Sequence, residues 1–307
     1  MTTTGLKILA LIFMTIDHIG EFIPDMPIWF RWIGRMSAPI FFFCAAEGIC
    51  HSRDKRQYLK RLWKMSLCMV LIEAVLPPLA EIYFGIKSVC FSNNIFFSIF
   101  LGTLLVYLLE QSKGDKAKRI KYISLYAGWQ AVLFVLVIVW EQFDAVLAPL
   151  NSIPILCDAE RIIFTALGAF GFMEGNVILT SAIVLFYLCR DNKRRLAVWY
   201  SAYCTVYFAV FVFQLPLKAI HFMSRLGVPN SFIAVARSAG KILGLQTVFS
   251  AGDFTNSLLN VNYQWIMIFA LPFLLTYNGK RGKGLKKFFY IYYPVHLAVL
   301  CILGAVL

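Results

Sequence analysis

Six ionisable residues stand inside runs that are otherwise apolar: Asp17 and His18, Arg31 and Arg35, Glu47, and His296. Such residues are costly in an apolar span and mark a cavity, a relay or a substrate path. An imidazole beside a carboxylate is a general base that titrates near neutral pH. Arginine holds phosphate or stabilises a developing oxyanion. Membrane-embedded acyl transfer fits this set. His18, oriented by Asp17, deprotonates an acceptor amine or hydroxyl for attack on a thioester. Arg35, with Arg31, holds the thioester carbonyl, the pantetheine chain or an anionic acceptor, and His296 is the second candidate base. A proton-coupled transporter or flippase, with Asp17 and His18 as its proton site, fits the same residues. So does a non-catalytic assembly factor in the membrane. The sequence has no Gly-rich phosphate loop, nucleophile elbow or metal-ligand spacing, so no metal is expected.

The elements that must position these residues are membrane helices. Of 307 residues, 60% are hydrophobic and only 15% charged. A soluble chain carries about 45–50% apolar and about 25% charged residues, so this chain must use lipid as part of its solvent. The net charge of +13 would point to nucleic acid in a soluble protein. Its distribution points elsewhere. Twenty of the 29 Lys and Arg fall in four stretches that join long apolar runs, at 51–64, 110–121, 190–195 and 278–287. That is the positive-inside pattern, and no nucleic-acid partner is expected.

With ~20 apolar residues per crossing, the expected fold is an all-α, polytopic helix bundle. It forms a single membrane-embedded domain over residues 1–307, with about nine to eleven transmembrane helices and a cytosolic N-terminus. Nine crossings are placed at 6–24, 28–49, 60–80, 92–110, 122–141, 163–189, 196–216, 258–277 and 286–306. The first apolar run reads as a span and not as a signal peptide. The four basic stretches then lie inside, while Glu21, Asp25, Glu81, Asp144, Asp158 and Glu160 lie outside. Gly168, Gly171, Glu174, Gly175 and Asn176 make 163–189 a candidate broken span. The stretch 217–257 reads as amphipathic helices on the outer surface or one more pair of spans. Cys90 and Cys157 fall in outside loops, where an oxidising surface would allow them to pair.

Depth brings the candidates together. Folding the chain about residue 25 puts Asp17 and His18 level with residues 32–33, between Arg31 and Arg35, which share a helix face. His18 is roughly 16 Å from Lys7, and His296 roughly 13 Å from Lys287, at 1.5 Å per residue. The two histidines are therefore expected to face one cavity. Glu47 is expected to pair with Lys7 near the inner surface. The basic inner loops, Lys283 and Lys286 among them, are expected to attract the phosphates of coenzyme A.

Four runs resemble the TraX family: LKILALIFMTIDHIG (6–20), FRWIGRMSAPIFFFCAAEGICHSRDKRQYLKRL (30–62), NIFFSIFLGTLLVYL (94–108) and YNGKRGKGLKKFFYIYYPVHLAVL (277–300). The resemblance matches Asp17 and His18 to a DH pair and Gly34 and Arg35 to a GR pair. It also matches Pro39, Glu47, Gly48, Asn94, Pro294 and His296, but not Arg31. It implies a member of the transmembrane acyltransferase superfamily, a multi-pass cell-membrane enzyme moving acetyl from cytosolic acetyl-CoA to an acceptor on the far side. The family's founding member acetylates a pilin. Nothing in these residues names the acceptor here, which is expected to be a glycan, a lipid or a surface protein.

Overall fold

Helix boundaries follow local capping chemistry. The first helix, α1 (Thr3–Phe22), starts where the Thr2 hydroxyl accepts from the Gly5 amide at 3.1 Å. A turn with Asp25 at φ 59° leads to α2 (Trp29–Gly34) and then α3 (Ser37–Cys50). Asp54 caps α4 (Lys55–Phe84) and Asn94 caps α5 (Ile95–Gln111). Then come α6 (Lys116–Leu147), α7 (Ala159–Leu167), α8 (Val177–Cys189) and α9 (Lys193–Phe211), the last two capped by Asn176 and Asn192. Two short helices follow, α10 (Leu215–Arg225) and α11 (Asn230–Ile242). A π turn at Ser257–Val261 and a 3-10 stretch at Tyr263–Ala270 lead towards the C-terminal helix, Lys286–Val306. This computed structural model describes residues 1–85, 92–147, 158–250 and 252–307. Cys90 and Cys157 lie outside the described residues.

The described residues are all helix, turn and loop, as the composition requires. Side-chain amides and hydroxyls at the caps accept backbone N–H groups that have no partner within the helix. The centre is α3, where Ile40, Phe42, Phe43, Cys44, Ala45, Ala46 and Ile49 are buried against α1, α5 and α8. By contrast, α6 exposes Ile120, Leu125, Trp129, Val132 and Val135 along one side. An exposed apolar wall of this kind is what a lipid-facing helix presents.

Nine crossings were expected from hydropathy. Among the described residues, four helices are long and apolar enough to cross a membrane: Trp29–Cys50, Lys55–Tyr83, Lys116–Trp140 and Lys287–Val306. The number rises to six if two bent pairs each cross as one, Lys193–Phe211 with Leu215–Arg225 (45°) and Phe254–Val261 with Tyr263–Leu275 (54°). The protein is thus a multi-pass membrane protein by length and composition. The shortfall has physical causes. The α1 helix carries Lys7, Asp17, His18 and Glu21. The candidate broken span 163–189 does break, at Gly168 with φ 83°. Its second half, α8, has 13 residues, roughly 20 Å against a hydrocarbon core of about 30 Å.

The basic stretches gather at one end of the bundle. The amides of Thr3 and Thr4 donate to the carbonyls of Lys280 and Arg281 at 2.9 and 3.0 Å, tying the N-terminus to the 278–287 loop. Lys55 pairs with Glu110, and Arg190 lies 3.7 Å from Glu110 and donates to Cys50 Sγ at 3.0 Å. Lys193 Nζ donates to the Leu275 carbonyl at 2.7 Å. These contacts place all four basic stretches and the N-terminus on one face.

Candidate functional site

The turn between α1 and α2 brings Asp17 onto two arginines. Arg35 Nη2 donates to Asp17 Oδ2, and Arg31 Nη1 lies 3.2 Å from Asp17 Oδ1 and 2.7 Å from Glu21 Oε2. Further donors fix both guanidinium groups. Arg31 Nη1 donates to the Asp17 carbonyl at 3.1 Å, Arg35 Nε to the Arg31 carbonyl at 3.1 Å, and Arg35 Nη1 to Gln264 Oε1 at 3.2 Å. The helices approach this closely because residue 34 is glycine: a Cβ there would stand 2.1 Å from the Asp17 Cβ. Gly34 and Arg35 act as a pair, one admitting the carboxylate and the other neutralising it.

His18 sits one residue on, but its ring partner is not Asp17. His18 Nδ1 lies 2.7 Å from His296 Nε2, and His296 Nδ1 lies 2.9 Å from the Tyr292 carbonyl oxygen. A carbonyl only accepts, so His296 carries its proton on Nδ1. With the pair neutral, His296 Nε2 is then an acceptor and His18 Nδ1 the donor. The lone pair of His18 is left on Nε2. The expectation that Asp17 orients the ring is therefore replaced by a backbone-anchored histidine relay, since the Asp17 carboxylate is committed to Arg31 and Arg35. Both histidines are buried. The depth estimate that set the two at one level agrees with their contact, but only His18 lines a cavity, and His296 lies behind it.

His18 lines a narrow cavity of about 100 Å³, together with Asp17, Arg35, Glu174, Gln264 and Tyr293. Two of these, Glu174 and Gln264, come from parts of the chain whose pattern carries no catalytic signal. Glu174 precedes α8, and its Oε2 accepts from the Tyr293 hydroxyl at 3.1 Å. Gln264 holds Arg35 from the 3-10 stretch, where the Tyr263 hydroxyl also accepts from Arg31 Nε at 3.4 Å. Non-helical backbone at membrane depth is tolerated only where protein or water satisfies it. Both irregular stretches, 168–176 and 257–270, meet the site.

A second, wider cavity of about 670 Å³ opens towards the basic end. Lys7, Arg53, Arg61, Arg281 and Lys283 line it there, and Met14, Phe41, Ile95 and Tyr293 line it at its inner end. Those last four residues also line the narrow cavity. A ligand spanning the two would have its charged part among the cations and its tip beside His18. The volume lies within the ~300–1,000 Å³ range of small-molecule and cofactor sites.

Of the two lysines expected to meet coenzyme phosphates, Lys283 lines the wide cavity, while the side chain of Lys286 lies outside the described residues. Arg53, Arg61 and Arg281 are additions that only the fold groups. Glu47 lines the wide cavity, accepting from the Tyr277 hydroxyl at 3.2 Å, with His51 Nδ1 at 3.7 Å. Asp17, His18 and Glu21 place possible ligand atoms within 4.8 Å of one another. The Arg31 guanidinium already occupies the space between the two carboxylates, so this group does not fit a cation.

The fold and the site define a class: a multi-pass helical membrane protein with a buried histidine pair and a carboxylate–arginine cluster, in which a narrow cavity lined by His18 adjoins a wide basic-rimmed one. Within that class the chain belongs to the TraX family, matching the family described as TraX protein over residues 3–156 and 133–304. The match runs through the middle of the chain, where the four recognisable motifs are absent. Over 214 residues the chain is 24% identical to the probable fimbrial assembly protein FimC, serogroup H1, of Dichelobacter nodosus, covering 62% of this chain and 85% of that one. No solved structure is significantly similar.

Proposed function

We propose that this protein is a cell-membrane acetyltransferase that passes an acetyl group from acetyl-CoA to an acceptor amine or hydroxyl at the membrane or on its outer side. The observation that carries the reading is a pair of cavities that share Met14, Phe41, Ile95 and Tyr293 as lining, the wide one rimmed with cations and the narrow one lined by His18, Asp17 and Arg35. In this reading the basic end faces the cytosol, as the positive-inside rule favours. All nine crossings exist, several of them short or bent. The nucleotide phosphates of acetyl-CoA lie against Arg53, Arg61, Arg281 and Lys283, and the pantetheine arm follows the apolar passage past Phe41 and Ile95.

His18 Nε2 takes the acceptor proton as the acceptor nitrogen or oxygen attacks the thioester carbonyl carbon. Of the five guanidinium N–H donors of Arg35, three are committed to Arg31, Gln264 and Asp17. Two remain for the carbonyl oxygen as it gains negative charge. Collapse of the tetrahedral adduct breaks the C–S bond, and the His18 imidazolium returns its proton to the departing coenzyme A thiolate. The relay to His296 and the Tyr292 carbonyl holds the ring in the required tautomer throughout. The name of the relative, a fimbrial assembly protein, supports a surface-appendage subunit as acceptor, beside a glycan or a lipid.

The test is ligand-induced stabilisation. Coenzyme A or acetyl-CoA at about 100 times its dissociation constant should stabilise the detergent-solubilised protein by about 2.7 kcal/mol, visible as a raised Tm. That rise should shrink when Arg61 and Lys283 are replaced by Gln. No shift with either ligand would remove the acyltransferase reading. Proton-coupled flux in reconstituted vesicles would then favour a transporter with Asp17 and His18 as its proton site.

A further inference from the structure

The segment 215–252 carries Lys218, Arg225, Arg237 and Lys241, together with His221, and not one Asp or Glu. It lies at the end of the bundle away from the four basic stretches. The α9 helix starts at the basic end, where Lys193 meets Leu275, and its 19 residues carry the chain roughly 28 Å across to Phe211. The segment that follows is fastened there. Gln214 Nε2 donates to the Gly252 carbonyl at 3.0 Å, and Asn262 Nδ2 to the Phe211 carbonyl at 3.2 Å. Trp32, beside the α1–α2 turn, donates to the Leu259 carbonyl at 3.0 Å. A cation-rich, carboxylate-free segment at this end runs against the charge distribution of the rest of the chain, so insertion topology does not account for it.

The exposed side chains of α10 and α11 fall in a pattern. Along α10, Leu215, Phe222 and Leu226 are exposed at spacings of seven and four, which is one helix face. His221 and Arg225, exposed as well, immediately precede Phe222 and Leu226, and exposed Lys218 lies four residues before Phe222, so the three flank that stripe. On α11, Phe232 and Val235 are 67% and 66% exposed on one face, and Arg237 is exposed across the helix from them. Aromatic and aliphatic side chains flanked by cations on a short amphipathic helix are the composition that lies in a membrane interface. There the apolar stripe enters the acyl boundary and the cations meet headgroup phosphates.

We propose that α10 and α11 form an interfacial hairpin that binds anionic phospholipid headgroups in the leaflet opposite the basic end. Lys218, Arg225 and Arg237 contact the phosphates while Phe222, Leu226, Phe232 and Val235 are immersed. Charge complementarity selects this occupant, because a segment with exposed Lys218, Arg225 and Arg237 and no carboxylate in its sequence has nothing to offer an acidic-and-basic protein patch or a second copy of itself. The hairpin leaves α9 just past Phe211, whose carbonyl is held by Asn262 of the 257–270 stretch, the stretch that also holds Arg31 and Arg35.

The experiment uses the full chain with its native cysteines replaced by serine and Ser231→Cys carrying an environment-sensitive fluorophore, reconstituted in phosphatidylcholine vesicles. Quenching is compared between spin-labelled phosphatidylglycerol and spin-labelled phosphatidylcholine at equal mole fraction. At about 1 kcal/mol per cation near an anionic surface, the lipid preference should be roughly 10–10²-fold. It should fall as salt is raised and be insensitive to added inorganic phosphate at constant ionic strength. The Lys218→Gln/Arg225→Gln/Arg237→Gln variant should bring the preference close to one. Arg225→Lys/Arg237→Lys, which keeps the charge, should retain it. Neutralising three cations at the other end, with Lys113→Gln/Lys116→Gln/Lys118→Gln, should also leave it in place. Equal quenching by the two lipids, or a preference that survives in the neutral variant, overturns the proposal. Absence of quenching by either lipid, with concentration-dependent cross-linking at position 231, would show that a protein surface covers the hairpin and would equally overturn it.

Discussion

Replacing His296 by Ala tests the relay most directly. The side chain is the acceptor for His18 Nδ1 at 2.7 Å. Its removal leaves a buried N–H without a partner and frees the His18 ring to change tautomer. An orphaned buried donor costs about 1–3 kcal/mol, which corresponds to roughly 5–150-fold in rate if the cost falls on the reactive geometry. Removing His18 itself takes away the base, with an expected loss of ~10²–10⁴-fold. Because His296 acts only through His18, the two losses should not multiply. The double variant His18→Ala/His296→Ala should be no slower than His18→Ala alone, as expected of groups that work as one unit. His296→Gln, whose amide oxygen can take the same hydrogen bond, should recover part of the rate. The assay is release of coenzyme A from acetyl-CoA in membranes of the native host, where the acceptor is present. Coenzyme binding is followed separately by Tm. A larger loss at His296 than at His18 would refute the reasoning, as would two losses that multiply. Full activity in both single variants would remove the general-base mechanism altogether.

Other expected outcomes follow from the same geometry. Gly34→Ala places a Cβ 2.1 Å from the Asp17 Cβ, so α1 and α2 must part. The loss of a buried carboxylate's partner, about 3–5 kcal/mol, should show as lost expression or a much lower Tm, and a wild-type Tm would contradict the packing. Asp17→Asn leaves Arg31 and Arg35 beside a neutral amide and should damage folding more than it changes the tautomer of His18, read as Tm against rate in whatever protein remains. Replacing Arg61 and Lys283 by Gln should weaken coenzyme affinity and flatten its salt dependence, because exposed charge pairs are screened over ~8 Å at physiological ionic strength. An unchanged affinity would leave those residues as insertion signals only. Single cysteines at positions 115 and 282 should resist an impermeant reagent applied to intact cells. Labelling from outside would reverse the orientation and the proposed side of coenzyme entry.

The sequence by itself determined the solvent of this protein and most of its polar centre. A chain with 60% hydrophobic and 15% charged residues has no choice but lipid. Asp17, His18, Arg35 and His296 are visible because an ionisable side chain in an apolar helix is too costly to be incidental. Counting residues from each helix end placed the two histidines at one depth, since helical rise is fixed. The turn near residue 25 paired Asp17 with the arginines for the same reason.

What the tertiary structure alone decided is which partner each polar group takes and where the helices break. Whether His18 leans on Asp17 or on His296 depends on the rotation of the C-terminal helix about its own axis, which packing sets and hydropathy does not encode. Asp17 goes to Arg31 and Arg35 because Gly34 lets the two backbones close, and that contact exists only between helices. Glu174, Gln264 and Tyr263 sit on irregular backbone, where no periodicity announces a face, so their convergence on the site appears only once the chain is folded. The crossing count has the same origin: a run of apolar residues gives the length of an element in lipid, but whether it stays one helix depends on the neighbours that satisfy its broken backbone.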